Sequence, residues 1–252
     1  MSILLHGDCL EQMKGLDDDS VDFIFCDLPY GQTSCKWDII IPWEPFWKEI
    51  MRVKKLHTPI FMTTTTKFGV ELINNCPKKC PFRYDLVWVK SAPAGFLSAK
   101  KMPMRKHEMV YAFYEKLPFY DLSSHKHKFI KDPPLPVSVV KEELAKDKTY
   151  KGIYTELPQT GKGKDAHSAQ YDPPLPTTML EIKSTRGKHS TEKPVALMEW
   201  LLKYYSKEGD TVLDPTMGSG STGVACKNMN RNFIGIEMDA EIYEVAVNRI
   251  EN

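Results

Sequence analysis

The last third of the chain does most to limit the fold. Thr211-Val-Leu213 is a short β-branched and apolar run that enters the glycine-rich turn Asp214-Pro-Thr-Met-Gly-Ser-Gly-Ser-Thr222. A helix-like stretch through Gly223-Val-Ala-Cys226 follows, then the strand-like Phe233-Ile-Gly-Ile236 closed by Glu237, then a helical pattern from Asp239 or Ala240 to Ile250. Strands joined by helix-length segments pair in parallel. The alternation therefore predicts an α/β fold with a mostly parallel sheet, helices on both faces, and ligands at the carboxyl ends of the strands.

The first half repeats the strand signal. Ser20-Val-Asp-Phe-Ile-Phe-Cys26 is a buried-strand run that stops abruptly at Asp27-Leu-Pro-Tyr-Gly31, and further runs stand at Pro59–Thr63, Tyr84–Val89 and His107–Tyr114. From about Glu115 to Arg186 the pattern gives way to Lys, Pro, Gly and Thr, which predicts loops with little regular structure. We read one domain over residues 1–252 with a loop-rich insertion at about 115–186. A helix is predicted after Pro194, behind Thr191.

A chain of 252 residues, 42% hydrophobic, supports one full-sized core and an insertion better than two independent domains. Its apolar runs are too short to span a bilayer, and its start lacks a basic segment and a small-residue cleavage site, so a cytoplasmic protein is expected. Six scattered cysteines read as reduced thiols, and Cys76-Pro-Lys-Lys-Cys80 has no second Cys or His pair at zinc-finger spacing, so no metal is expected. The net charge of +1 conceals an asymmetry. Residues 86–190 hold 18 Lys and Arg against 11 Asp and Glu, leaving +7 there and −6 elsewhere, a distribution suited to a phosphate backbone.

A glycine turn between strand and helix lets a ligand approach the backbone closely. Here Asp214 stands directly before the turn and Glu237 ends the next strand, where a carboxylate can accept hydrogen bonds from ribose hydroxyls. The turn lacks the Gly-Lys ending of a phosphate-binding loop. A nucleoside without a diphosphate suits it. S-adenosylmethionine is such a ligand, with ribose hydroxyls and a cationic sulfonium that tolerates nearby acids.

Asp27-Leu-Pro-Tyr30 supplies a carboxylate, a rigid backbone carbonyl and an aromatic ring within four residues. The lone pair of an exocyclic base amine is delocalised into its ring, so two acceptors must hold the amine hydrogens and aim the lone pair at an incoming methyl. The Asp27 carboxylate and the Leu28 carbonyl can do this by positioning alone, with Pro29 stiffening the turn and Tyr30 offering a stacking face to a base taken out of its helix. Asp172-Pro-Pro-Leu175 follows no apolar strand and has no aromatic in the fourth place, so it reads as a loop.

Together these segments resemble the amino-methyltransferases of DNA, and their order resembles the β group, in which the catalytic motif comes first and the cofactor motif last. The resemblance covers roughly residues 4–114 and 176–250. It implies the Rossmann-like fold of S-adenosylmethionine-dependent methyltransferases with circularly permuted motifs and a target-recognition insertion. The family's Asp-Pro-Pro-Tyr falls on Asp27-Leu-Pro-Tyr30. Its Asp-Pro-Phe-x-Gly-Ser-Gly-Thr-Thr falls on residues 214–222, with Thr216 in place of the aromatic. By resemblance Asp214, Thr216, Gly218, Ser219, Gly220, Ser221, Thr222 and Glu237 hold the cofactor. The family's His-Pro-Thr-x-Lys-Pro matches His189-Ser-Thr-Glu-Lys-Pro194, which implies that Thr191 and Lys193 hold the methionine carboxylate. Leu4-Leu-His-Gly-Asp-Cys-Leu10 resembles the segment that contacts the cofactor adenine, giving Asp8 and Cys9. His107-Glu108 resembles a later strand pair, read as structural.

The resemblance implies double-stranded DNA as partner. Lys100, Lys101, Arg105, Lys106, Lys126 and Lys128 are the candidate phosphate contacts. Asp27 favours adenine-N6 as the acceptor, since the cytosine-N4 branch more often has Ser there. RNA and protein-glutamine methylation use a related tetrapeptide but the reverse motif order, and a degenerate DNA-binding subunit would not keep Asp27, Pro29, Tyr30, Asp214 and Glu237 together. A homodimer and an accompanying restriction endonuclease are left open.

Overall fold

The computed structural model describes residues 1–31, 38–128, 170–184 and 192–251. The chain divides into two compact units, one of Met1–Asp121 with Thr177–Asn252, the other of Leu122–Pro176. The first unit is built on an eight-stranded sheet. In chain order its strands are β1 (Ser2–His6), β2 (Phe23–Cys26), β3 (Ile60–Thr64), β4 (Phe82–Ala94), β5 (Arg105–Phe113), β8 (Met179–Leu180), β9 (Thr211–Asp214) and β10 (Asn232–Glu237). They lie in the order β1-β10-β9-β2-β3-β5-β4-β8. From β1 to β3 every pairing is parallel, whereas β5 runs antiparallel to both β3 and β4.

The central strands are apolar without alternation because both faces are covered. All four residues of β2 are buried. Ile24, Cys26, Ile60, Met62, Leu213 and Ile236 share a core with α1 (Cys9–Met13), α2 (Trp43–Val53) and α3 (Thr66–Asn75), which contribute Met13, Phe46, Ile50, Phe68 and Leu72. The opposite face presents Phe23, Phe61 and Phe233. Against it lie α4 (Val195–Tyr205), α5 (Ser221–Asn228) and α6 (Ala240–Glu251), with Phe61 edge-on to Tyr205 at 4.8 Å. Helices thus cover both faces, as the sequence pattern predicts. None among the described residues is long and apolar enough to cross a membrane.

The strand order places the site. From β2 the chain moves to β3 on one side, and from β9 it moves to β10 on the other. The neighbouring β2 and β9 therefore flank the point where the winding direction reverses, and a crevice opens there at the carboxyl ends of the strands. Asp27 follows the last residue of β2, and Asp214 is the last residue of β9.

Of the second unit, the described residues form a two-stranded antiparallel sheet, β6 (Lys126–His127) with β7 (Tyr171–Asp172). Asp172 of the loop-like Asp-Pro-Pro-Leu segment is in β7. Within the stretch read as a loop-rich insertion, β8 pairs with β4 at the edge of the first unit's sheet.

Candidate active site

The two aspartates lie in contrasting surroundings. Around Asp27 the carboxylate is held on every side. Thr63 and Tyr30 hydroxyls donate to Oδ1, the latter at 3.2 Å, and the Lys193 ammonium donates to Oδ2 at 2.6 Å. An ionised carboxylate has about four acceptor positions, so among the described residues one remains open, on Oδ2. Leu28 is buried, and its carbonyl accepts no hydrogen bond among the described residues. Among the described residues, carboxylate and carbonyl thus each keep an acceptor position open.

Lys193 also meets Glu108 at 3.1 Å, and Glu108 meets Lys90 at 2.6 Å. Two acids and two ammonium groups form a balanced cluster in which Lys193 and Glu108 are almost fully enclosed. Burial alone would pull the Lys193 ammonium down, but Asp27 and Glu108 outweigh it and hold it above the usual lysine range. Burial pushes the Glu108 carboxyl up, but Lys193 and Lys90 overcome this and hold it below its ordinary value. The Tyr30 hydroxyl shares its proton between Asp27 and Glu108, at 3.2 and 3.3 Å. Burial and these two acids keep its phenol protonated. The Tyr30 ring is backed by Phe68 at 4.9 Å, itself against Trp43 at 5.4 Å, so its plane is fixed.

The Asp214 region contains acids without a cation partner. Asp214 is buried and accepts from the Thr222 hydroxyl at 2.6 Å and the Thr216 amide at 3.1 Å. Burial raises its carboxyl to about 7 against those two hydrogen bonds, and Asp27 and Glu237 add to the rise. Glu237 accepts from the amides of Gly218 at 3.0 Å and Asp239 at 2.8 Å. Neither acid makes an ion pair among the described residues. The turn depends on its glycines: Gly218 (φ +53°) and Gly220 (φ +83°) are in the left-handed region. A Cβ on Gly220 would lie 2.9 Å from Ile250 Cδ1, whereas one on Gly218 would meet nothing within 4 Å, which leaves open space above the turn. Ser221 Oγ is buried without a hydrogen-bond partner, and Ser219 accepts twice from Arg249, at 2.7 Å each.

The remaining sequence candidates fall as follows. Asp8 caps α1, its Oδ1 accepting from the amides of Leu10 and Glu11 at 2.9 and 3.2 Å. It lies beside the Asp214 region, because β1 pairs with β10 and the Gly7 amide donates to the Glu237 carbonyl. Cys9 is buried, and burial followed by Asp8 pushes its thiol up to about 12. Thr191 lies outside the described residues. Lys100, Lys101, Arg105 and Lys106 are exposed at the β4–β5 hairpin, and Lys126 and Lys128 are exposed in the second unit. Thr63, Lys90 and Glu108 were missed as members of the Asp27 cluster, and Glu108 was read as structural only. Thr216 bridges the two regions, its hydroxyl donating to the Asp27 carbonyl at 3.2 Å. Among the described residues no group of three His, Cys, Asp or Glu is placed to hold a metal.

A doubly wound sheet with two acid-bearing turns at its switch point is a frame that can hold a nucleoside beside a second ligand. The sequence model of the DNA methylase family matches residues 21–248, and the chain belongs to that family. Among curated relatives, the type II methyltransferase M2.DpnII of Streptococcus pneumoniae is 44% identical over 71 residues, 28% of this chain and 26% of that protein. The DNA adenine methyltransferase YhdJ of Escherichia coli K12 is 27% identical over 257 residues, covering 98% of this chain and 82% of that protein. The match thus spans only about a quarter of the first relative's length but most of the second's.

Two solved structures share the fold. The M1.HpyAVI–SAM complex has a TM-score of 0.63 at 22% identity, covering 99% of this chain and 100% of that one. The cytosine-N4-specific PvuII DNA methyltransferase has a TM-score of 0.65 at 13% identity, covering 98% and 86%. Gly218, Gly220 and Gly223 also keep the Gly-x-Gly-x-x-Gly spacing of dinucleotide-binding turns, so spacing alone does not choose the ligand. The family does: its methyl donor is S-adenosylmethionine. The residues present fit that donor. Asp214 and Glu237, which lack a cation partner among the described residues, would suit a cationic nucleoside with ribose hydroxyls, and the open space above Gly218 would admit it against the backbone.

Proposed function

We propose that this chain methylates the 6-amino group of adenine in duplex DNA at a specific sequence. The observation that carries the reading is the Asp27 carboxylate, held by Lys193, Thr63 and Tyr30 with one acceptor left over, beside the unused Leu28 carbonyl. S-adenosylmethionine, when bound, supplies an electrophilic methyl group. Asp27 Oδ2 and the Leu28 carbonyl would each accept a hydrogen bond from the amine and direct the nitrogen lone pair. The C–S bond breaks as the C–N bond forms, and the thioether leaves neutral. The methylated amine, now acidic, gives one proton to Asp27 and on to water, so no strong base is needed. Lys193 holds the Asp27 carboxylate in place. Two of its three N–H donors are used by Asp27 and Glu108, and the third remains for the methionine carboxylate.

The fixed Tyr30 ring serves as a platform for a base flipped out of the duplex. Asp214, Thr216, Gly218, Ser219, Gly220, Ser221, Thr222 and Glu237, with Asp8 and Cys9 beside them, form the cofactor pocket. Glu237 would accept hydrogen bonds from the ribose hydroxyls. Lys100, Lys101, Arg105, Lys106, Lys126 and Lys128 neutralise phosphates, so binding should weaken steeply with salt. Aspartate in the first motif position and the similarity to YhdJ along nearly the whole chain support adenine over cytosine.

The test is incubation with tritiated S-adenosylmethionine and unmethylated duplex DNA, followed by nucleoside analysis. Label in N6-methyladenine is expected. Label in N4-methylcytosine would keep the mechanism and reverse the base. No label in DNA of varied sequence, with cofactor bound, would overturn the reading.

A further inference from the structure

Among the described residues of the first unit, the most exposed pair of neighbouring large apolar side chains sits at the tip of the β4–β5 hairpin. Phe96 and Leu97 are neighbours there, 82% and 100% exposed, and Met102 and Met104 follow at 61% and 41%. Two large side chains held fully in water at a single tip call for a partner.

The tip is built. Gly95 turns the chain at φ +92°, and Phe96–Ser98 form a single 3-10 turn. Amides of Ser98, Ala99, Lys101 and Met102 then bond back to the carbonyls of Gly95, Phe96 and Ser98 at 2.8–3.0 Å. The ladder reaches the tip through the pair Ala94 and Arg105. Lower down, Ser91 and Ser184 exchange reciprocal amide-to-hydroxyl bonds at 3.2 and 3.0 Å, which tie the hairpin to the segment after β8.

Charge chooses the partner. From Lys90 to His107 the chain has five Lys and Arg and no Asp or Glu. An apolar tip carried on an arm of one sign fits an apolar interior with a polyanionic exterior, which describes stacked bases between phosphates.

Position relates the tip to the site. Because β5 is antiparallel to β3 with Met109 opposite Thr64, the residues before Met109 pass beyond the carboxyl end of β3. Glu108, the first of these, is already in the Asp27 cluster. Arg105 lies three residues further out, about 10 Å at an ordinary strand rise, and Phe96 and Leu97 lie beyond it. That reach is comparable to the depth of a DNA groove, about 8.5 Å.

We propose that Phe96 and Leu97 form a wedge that enters the duplex beside the target and fills the space left by the base delivered to Asp27, while Lys100, Lys101, Arg105 and Lys106 grip the flanking phosphates. The proposal rests on the DNA-methylation reading. A base leaving the stack exposes apolar faces of its neighbours, and an apolar side chain in the gap covers them, so the flipped state is favoured without any base-specific contact.

The test uses the whole chain and two duplexes of a sequence that the wild type methylates. In one the target base is paired, and in the other its opposite position is abasic, so that no pair must be broken. Phe96→Ala/Leu97→Ala should lose about 10- to 100-fold in kcat/KM on the paired duplex and stay within about threefold of wild type on the other, because the flipping cost is least for an unpaired base. Phe96→Leu, which keeps an apolar wedge, should restore most of the rate, and S-adenosylmethionine affinity should not change. Equal loss on both duplexes, or no loss on either, overturns the wedge while leaving methylation intact. A double variant that sediments as a smaller species than wild type yet methylates the paired duplex normally would assign the tip to a second copy and also overturn it. A wild type that labels no DNA removes the underlying reading and the wedge with it.

Discussion

The Asp27 and Asp214 regions hold acids at adjacent strand ends but treat their charge in opposite ways. Asp27 and Glu108 face Lys193 and Lys90, so that cluster is balanced before any ligand arrives. Among the described residues Asp214 and Glu237 are satisfied by amides and a hydroxyl alone, and burial drives the Asp214 carboxyl to about 7. A balanced pocket suits a neutral ligand, because an added charge would be left unpaired in a buried place. An acid pocket short of positive charge suits a cation. On the proposed reading the base amine is that neutral group and the sulfonium is that cation.

The strongest way to break this contrast is Asp27→Ala. If Asp27 acts on the acceptor amine and not on the donor, single-turnover methyl transfer should fall by about a hundred- to a thousand-fold, as for removal of a transition-state contact. Cofactor affinity by calorimetry should stay within severalfold. Equal loss of both would mean that the two regions are not separable.

Glu108→Gln tests the balance within the Asp27 cluster. It leaves Lys193 and Lys90 with one carboxylate fewer in a place where Glu108 is only 11% exposed, and should cost about 3 kcal/mol of stability. Methyl transfer should drop about tenfold or more as Lys193 loses one of its two anchors, with KM for the cofactor less affected. The sign with pH is fixed. Glu108 titrates below its ordinary value in the folded chain, so its contribution is present above that ordinary value of 4.5 and disappears as pH falls through the depressed one. The melting-temperature gap between wild type and Glu108→Gln should therefore be widest near neutrality and close in acid. A gap that persists unchanged in acid would show that shape, not charge, is responsible.

The Asp214 region predicts the opposite dependence. A carboxyl raised from 3.8 to about 7 favours folding most below 3.8, and that advantage is lost as pH rises through 7. A bound cation reverses the preference by favouring the ionised form. S-adenosylmethionine affinity should therefore rise about tenfold between pH 6 and pH 8, with a proton released on binding at the lower pH. Asp214→Asn should flatten the profile. A flat wild-type profile would show that Asp214 is ionised before the cofactor arrives.

How much of this could be read in the sequence follows from where each contact originates. Strands β2, β9 and β10 were legible because central parallel strands are apolar on both faces, and an abrupt polar stop after them marks a carboxyl end. Asp27, Asp214 and Glu237 stand at those stops. The Asp27–Lys193 pair was not legible, since its partners are 166 residues apart and meet only through the strand order. The sequence assigned Lys193 to the methionine carboxylate, and nothing local points to Asp27. Glu108 looked like one polar residue in a strand, because its neighbours Lys90 and Lys193 come from β4 and from the entry to α4. The basic stretch of the hairpin was readable as charge, but the exposure of Phe96 and Leu97 was not. Phe and Leu are more often buried than exposed, so a local apolar pair gives no sign of exposure, and only the geometry of the turn puts it in water.

The smallest expected effect tests whether the two regions act together. Thr216 stands where the family has an aromatic, and its two hydrogen bonds face in different directions: its amide donates to Asp214, its hydroxyl to the Asp27 carbonyl. The hydroxyl thus ties the glycine turn to Asp27. Thr216→Val keeps the shape and removes that bond, which should cost about 1 kcal/mol, or roughly fivefold. If the bond sets the distance between donor and acceptor, the loss should appear in single-turnover methyl transfer, with cofactor affinity and the Asp214-dependent pH profile unchanged. If it appears in cofactor affinity, Thr216 is simply part of the cofactor wall, as the aromatic of its relatives would be. Combining Thr216→Val with Asp27→Ala separates the cases again. A residue that acts by positioning Asp27 should add nothing once the Asp27 carboxylate is gone, whereas an independent cofactor contact should still cost its full factor.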